Sequence, residues 1–313
     1  MGNTAGVGQV TIKDVAAAAG VSVGTVSRYL NGFAISPQRR ERIQAAIQAL
    51  GYRGNYMAKA LKSRKSMTIG VLIYTLTDPF STTIVSSFQR VVEERGYSII
   101  LADYAEDIGK LASRIRFLRE RRIDGLLLFP LLPTPLLLEA IRDCQKDLLP
   151  VVLVNEQIEG IDCDVVLVDN ASASFRAVEQ LVLNRHRHIA IIDGTEADFV
   201  SKERLRGYCE ALAAYSMPCE KKYQAYADHS SVKAYNVTRN LLSMPEPPTA
   251  IFVTGYRMGY GVLTAIRDAG LAIGRDIAVT CFDRTEFIDL FRPAITVIEQ
   301  PLDQMGQAAA DLM

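Results

Sequence analysis

Residues 10–32 read VTIKDVAAAAGVSVGTVSRYLNG. Two short helical patterns stand three residues apart, with Gly20 where the chain needs a left-handed turn. Val15, Ala16 and Ala19 give the first helix a small apolar face. Ser22 is placed to cap the second, whose Val26 and Leu30 are expected to turn back toward the first. Such a turn leaves the amino end of the second helix projecting. Val23, Gly24 and Ser27, with Arg28 one turn along, are then placed to face base edges in a major groove. With Thr11, Ser22, Thr25 and Asn31 beside them, they form the expected DNA-contacting set. A third helix follows, with Ser36 as cap, Pro37 at its first position, Gly51 just past its end and an inner stripe of Ile43, Ala46, Ile47 and Leu50.

Charge points the same way. The 313 residues carry 35 basic and 35 acidic side chains, yet residues 1–65 hold ten Lys or Arg against Asp14 and Glu41, a net +8. The remainder is 25 against 33, a net −8. A small basic module on a larger acidic body is the footprint of polyanion binding, since Lys and Arg on phosphates release condensed counterions. The longest apolar stretch, Leu126 to Leu138, is interrupted by Pro130, Pro133 and Pro135, too short and too broken to span a bilayer. Met1 to Gln9 show neither a basic start nor an apolar run, so a cytoplasmic protein away from membranes is expected. Cys144, Cys163, Cys209, Cys219 and Cys281 form no C-x-x-C pair and are expected as buried reduced thiols; no metal or cofactor is expected.

On these residues, positions 11–61 resemble the DNA-binding head of LacI-family transcriptional regulators. The opening motif matches closely, and the third helix runs from Ile35-Ser36 to Leu50-Gly51-Tyr52 as that family's does. The resemblance implies a hinge that becomes helical on operator DNA and wedges a leucine into the minor groove; by position Asn55, Ala58, Lys59 and Leu61 match it. Two departures stand out. Gly54 replaces the usual proline before the hinge asparagine, and Val23-Gly24 stand where relatives carry larger readout residues.

Beyond Ser66 short β-rich runs alternate with amphipathic helical stretches, the pattern of parallel α/β units. Strands are expected at Thr68–Tyr74, Ser98–Ala102, Gly125–Phe129 and Val151–Val154, with helices near Pro79–Arg95, Ile108–Arg121 and Pro135–Lys146. A second series has strands at His188–Asp193, Thr249–Val253 and Ile277–Phe282, with helices around Ser201–Tyr215, Val232–Ser243 and Arg257–Ala269. The expected fold is therefore an all-α three-helix head (1–51) with a hinge (52–66), joined to an α/β core (67–313) of two doubly wound parallel-sheet subdomains. The first subdomain takes about 67–167 plus 299–313, the second about 168–298. Ligands in such sheets bind beyond the carboxyl ends of the strands, which makes Tyr74, Asp78, Phe80 and Phe129 pocket candidates.

The body also resembles the periplasmic-binding-protein-like core (type I) of the same family, through Ile69-Gly70-Val71, Asp78-Pro79-Phe80, Ile123-Asp124-Gly125, Val168-Asp169-Asn170, Arg204 to Tyr208, Phe282-Asp283 and Gln300-Pro301 in that order. It implies effector contacts by Arg204 and Asp283. Where the family has Asn-Asp after its Ala-Ile-Phe strand, this chain has Thr254-Gly255-Tyr256; Tyr256 can stack on a sugar face, and Arg204, Arg257 and Arg284 would favour a phosphorylated or acidic sugar derivative. The helical pattern still runs at Met313, short of the family's usual length. No nucleophile elbow or P-loop is present, Gly255, Gly259 and Gly261 have the wrong spacing for a dinucleotide fingerprint, and His229 reads as a polar loop residue. A homodimeric repressor, not an enzyme or a free carrier, is expected, acting on a pseudo-palindromic operator under a small-molecule effector.

Overall fold

The structure, a computed structural model, describes residues 10–30, 32–52, 65–105, 107–285 and 288–313. By internal contacts the chain divides into two compact units, Met1–Ser66 and Met67–Met313.

In the first unit, helix α1 (Ile12–Ala19) starts where the Asp14 carboxylate takes the N–H and hydroxyl of Thr11, both at 2.7 Å. These bonds hold the Asp14 carboxyl below its usual range. α1 ends at Gly20, φ +61°, a conformation that glycine adopts without strain. Helix α2 (Val23–Leu30) is capped by Ser22, whose Oγ accepts from Thr25 N at 3.2 Å. Helix α3 (Pro37–Leu50) sends Arg42 back to the turn, Nε to the Ala19 carbonyl at 3.0 Å and Nη2 to that of Gly20 at 2.7 Å. Val15, Val26 and Ile43 close a fully buried centre. One expectation fails: Leu30 is exposed, and Tyr29 packs on that centre instead. Both lie about one turn beyond Val26, and the larger ring covers the gap.

In the second unit, strands β1 (Thr68–Ile73), β2 (Ser98–Asp103), β3 (Gly125–Leu128), β4 (Val151–Val154) and β5 (Asp164–Val166) alternate with helices α4 (Pro79–Glu94), α5 (Ile108–Glu120) and α6 (Pro135–Lys146). The second lobe runs α7 (Asn170–Leu183), β6 (Ile189–Asp193), α8 (Phe199–Ala214), β7 (Gln224–Tyr226), α9 (Ser231–Leu242), β8 (Ala250–Val253), α10 (Tyr256–Asp268), β9 (Ala278–Phe282) and β10 (Thr296–Ile298). The sheet orders are β2-β1-β3-β4-β5 and β7-β6-β8-β9-β10, all pairs parallel. Counted from each lobe's own start, both are 2-1-3-4-5. The topological switch point therefore falls between β1 and β3 in one lobe and β6 and β8 in the other, where ligands of such sheets bind. The last helix, α11 (Leu302–Leu312), returns to the first lobe, where Ser87 Oγ donates to the Asp303 carbonyl at 2.9 Å. Gly306 makes that contact possible, since a Cβ there would stand 2.5 Å from the Ile84 carbonyl.

Four elements were not expected: the three-residue edge strands β5, β7 and β10, and helix α7. Each of these edge strands is only three residues long, too short to stand out as a strand. The amino end of α7 is small and polar, Asn-Ala-Ser-Ala-Ser, which hides its inner face of Ala177, Val178 and Leu181. The cysteine expectation also needs correcting. Cys209 and Cys219 form a disulfide, because α8 and the turn after it bring their Cα atoms to 5.4 Å, and Cys163 is only half-buried. Among the described residues no helix is long and apolar enough to cross a membrane.

Candidate nucleic-acid interface and ligand cleft

On the head, burial of Val26 and packing of Tyr29 turn the opposite side of α2 outward. Thr11, Ser22, Val23, Gly24 and Arg28 are exposed, while Thr25 and Ser27 are half-buried. Ser22 and Thr25 hydroxyls bond each other at 2.9 Å, which fixes the start of the projecting end. Arg42, one of the ten basic residues of this segment, is occupied by the turn carbonyls and builds the motif from behind. Asn31, Asn55, Ala58, Lys59 and Leu61 lie outside the described residues.

In the second unit a cleft of about 890 Å³, open to solvent, lies at the carboxyl ends of both sheets. Tyr74, Asp78, Phe80, Phe129, Arg204, Tyr256 and Asp283 all line it. Tyr74 follows β1 and Phe129 follows β3, so the switch point itself sets them there. Tyr104 supports both: its ring meets Tyr74 edge-on at 5.4 Å and its hydroxyl donates to the Phe129 carbonyl at 3.1 Å.

Asp78 caps α4, taking Ser81 N at 3.1 Å and Ser81 Oγ at 2.7 Å. Its other oxygen accepts the Tyr256 hydroxyl at 3.0 Å, a bond between the two lobes. Burial and the Asp78 charge push the Tyr256 phenol well up, so it stays a donor.

Arg204 is 5% exposed. Its Nε donates to Asn170 Oδ1 at 2.8 Å, Nη1 bonds the Thr254 carbonyl, and the guanidinium carbon lies 3.8 Å from the centre of the Phe282 ring. Burial lowers its pKa, opposed by Asp283, Asp193 and Asp198. Asp283 stands at φ +70°, a left-handed conformation that Asp tolerates better than most residues. It accepts from Gln300 Nε2 at 2.6 Å, and burial raises its carboxyl against the pull of Arg204. Thr254 donates to the buried Asp193 at 2.5 Å, whose carboxyl burial raises to about 6.

The structure adds residues that the sequence did not place in the site. Glu156, 2% exposed, lines the cleft from the end of β4 and accepts the Phe199 N–H of the other lobe at 3.1 Å. Burial pushes its carboxyl to about 8. Asp198 caps α8, and His229 Nε2 lies 3.2 Å from it. Burial alone would raise Asp198, but the His229 ring and Ser201 hold it below its usual range. His229 thus belongs to the cleft wall. Asn155 and Gln300 complete the polar lining. Arg257 is there, its guanidinium carbon 5.8 Å from the Tyr74 ring centre, but Arg284 is not. It pairs outside with Asp289 at 3.1 Å and Glu299 at 3.6 Å, so the expected cationic trio is incomplete.

Comparison with known proteins gives the family and the fold. The family model described as bacterial regulatory proteins, lacI family, matches residues 11–55, and that described as periplasmic binding proteins and sugar binding domain of LacI family matches residues 66–313. The chain is 30% identical over 306 residues to catabolite control protein A of Priestia megaterium, covering 97% of this chain and 91% of the relative. It is 31% identical over 304 residues to the HTH-type transcriptional repressor CytR of Escherichia coli strain K12, covering 97% and 88%. The solved lac repressor dimer bound to operator and the anti-inducer ONPF superposes with a TM-score of 0.84 at 26% identity, covering 96% of this chain and 91% of that one.

Proposed function

The chain belongs to the LacI family of bacterial regulatory proteins, a DNA-binding transcriptional regulator under small-molecule control, and from that footing we propose how its own residues divide the work. Two copies pair, as in the lac repressor dimer, and act in the cytoplasm as a repressor. Each head lays the amino end of α2 in a major groove, with Arg28 as the only long donor among the described residues of that end and Val23-Gly24 giving shape without hydrogen bonds. The hinge positions Asn55, Ala58, Lys59 and Leu61 are proposed to follow the minor groove between the heads.

The cleft takes the effector and performs no chemistry on it. The observation that carries this reading is the convergence of seven side chains from both lobes on one space at the two switch points. Its chemistry favours a neutral, hydroxyl-rich sugar over the phosphorylated one. Asp78, Asp198 and Asp283 face two guanidinium groups, Glu156 adds a carboxyl that burial holds protonated at neutral pH, and Arg204 is already bonded to Asn170 and Thr254. Carboxylates and amide oxygens accept from sugar hydroxyls, while Tyr74, Phe80, Phe129 and Tyr256 offer ring faces. Occupancy changes lobe closure through the Asp78–Tyr256 and Glu156–Phe199 contacts, and unequal affinity for the two closure states couples the cleft to DNA by about 1–3 kcal/mol.

Selection of bound duplexes from a random pool should return a two-fold symmetric consensus. Neutral sugars, screened against retention on that duplex, should alter it where hexose phosphates do not. A chain with no preference for any duplex, or one answering only to phosphates, would overturn the assignment.

A further inference from the structure

The Asp78–Tyr256 and Glu156–Phe199 bonds both join the two lobes across the cleft, but they answer differently to protons. Burial pushes the Tyr256 phenol well up, so its hydroxyl keeps its hydrogen at neutral pH. Glu156 is the other case. It follows β4 in the first lobe and is 2% exposed. Among the described residues its two oxygens share one donor, the Phe199 N–H that opens α8, at 3.1 and 3.3 Å. One shared amide replaces little of the water that a carboxylate gives up on burial.

The charged groups nearby do not make up the difference. On α8, Asp198 opposes ionisation of Glu156, while Lys202 favours it but is itself exposed. His229, after β7, is bonded to Asp198 and helps to hold that carboxyl below its usual range, so Asp198 faces Glu156 as an anion. The other guanidinium and carboxyl groups lining the cleft are engaged elsewhere: Arg204 by Asn170 and Thr254, Arg257 over Tyr74, Asp283 by Gln300, and Asp78 by Ser81 and Tyr256. With the lobes together the neutral carboxyl is therefore favoured, and burial moves its ionisation to about 8. With the lobes apart water reaches it, and it ionises near the ordinary 4.5.

We propose that Glu156 is a proton-operated latch: the closed cleft keeps one proton on this carboxyl, and losing that proton parts the lobes without any ligand. Closure is strongest below the open-state value and weakens as pH rises toward 8, by up to about tenfold per pH unit, with no further loss above it. Protons and effector then bias the same equilibrium. That last step rests on the assignment of the cleft as the effector site; the latch does not.

The latch can be read at its own hydrogen bond. The Phe199 N–H lies in the first turn of α8 and has no acceptor within its helix, so its protection against amide exchange in the full-length chain reports the Glu156 contact. Corrected for the intrinsic pH dependence of exchange, this protection should fall by at least about tenfold between about pH 6 and 8 in the wild type. Glu156→Gln keeps an acceptor oxygen and cannot ionise, so its protection should change by less than about twofold over the same range, Asp193 and His229 being common to both proteins. Constant protection in the wild type, or an equal fall in Glu156→Gln, overturns the latch. Anisotropy on the selected operator duplex, at both ends of that range and for both proteins, checks the coupling separately. If protection falls as expected while wild type and Glu156→Gln show the same pH dependence of duplex affinity, the latch stands and the cleft's control of DNA binding falls.

Discussion

Arg204, proposed to contact the effector, is also a structural residue. It ties the start of α7, through Asn170, to the end of β8, through the Thr254 carbonyl, and stacks on Phe282 of β9. Arg204→Ala should therefore cost roughly 3 kcal/mol of stability, as removal of one partner from a buried charged network does, besides removing the effector response. A urea midpoint unchanged from wild type would restrict Arg204 to ligand contact. Glu156 gives a pH signature. Unfolded, it ionises near 4.5; buried, at about 8, so between those values the folded chain holds a proton that the unfolded chain has released. Stability then falls as pH rises through that window, and the loss is complete above about 8. Asp193, raised to about 6, acts with the same sign at lower pH only. Glu156→Gln cannot titrate, so its thermal stability should vary less than wild type between about pH 6.5 and 8.5; parallel curves would show that Glu156 is ionised throughout. Placing residues at strand ends found Tyr74 and Phe129, and the same rule reaches Asn155 and Glu156, which follow β4 directly. Asp198 and His229 carried no such signal. One reads as a helix cap and the other as a loop residue, and only the fold brings them together.

At the scale of elements, β1, β3, β4, β6, β8 and β9 and most helices were legible because each buries an apolar run, and β2 was legible from Ile99, Ile100 and Leu101 although it lies at a sheet edge with no residue fully buried. β5, β7 and β10 were not, being only three residues long, and α7 was not because its small polar amino end masks the stripe it does bury. The glycine of the Arg204-to-Tyr208 segment is likewise explained by packing: a Cβ on Gly207 would stand 2.1 Å from the Ala171 carbonyl, so α7 and α8 touch backbone to backbone. Gly261 does the same for α10 against α9, 2.0 Å from the Ser231 carbonyl, which accounts for a glycine that fits no nucleotide-binding spacing. Gly207→Ala must push α7 and α8 apart and should destabilise the second lobe by roughly 1–3 kcal/mol, measured by chemical unfolding. Because Arg204 and Asn170 sit on those two helices, ligand affinity should fall as well. A Gly207→Ala chain of unchanged stability would mean that the helices can separate freely and do not set the cleft geometry.

For the whole molecule, a net charge of zero conceals a division that decides how it meets DNA. With +8 on residues 1–65 and −8 on the rest, only the head attracts a duplex, and the body repels it. Duplex affinity should therefore fall steeply with salt, with a log–log slope near −5 if the paired heads neutralise about six phosphates. A neutral sugar in the cleft releases no counterions, so its affinity for the free chain should be nearly insensitive to salt. Coupling makes the two dependences meet. If ligand changes operator affinity by some factor, operator must change ligand affinity by the same factor, and salt should then alter ligand affinity only while duplex is present. Fluorescence anisotropy for the duplex and calorimetry for the sugar, each with and without the other, measure all four affinities. A duplex slope shallower than about −2 would mean that the basic head does not track phosphates, and ligand affinity indifferent to the operator would separate the cleft from control of DNA binding.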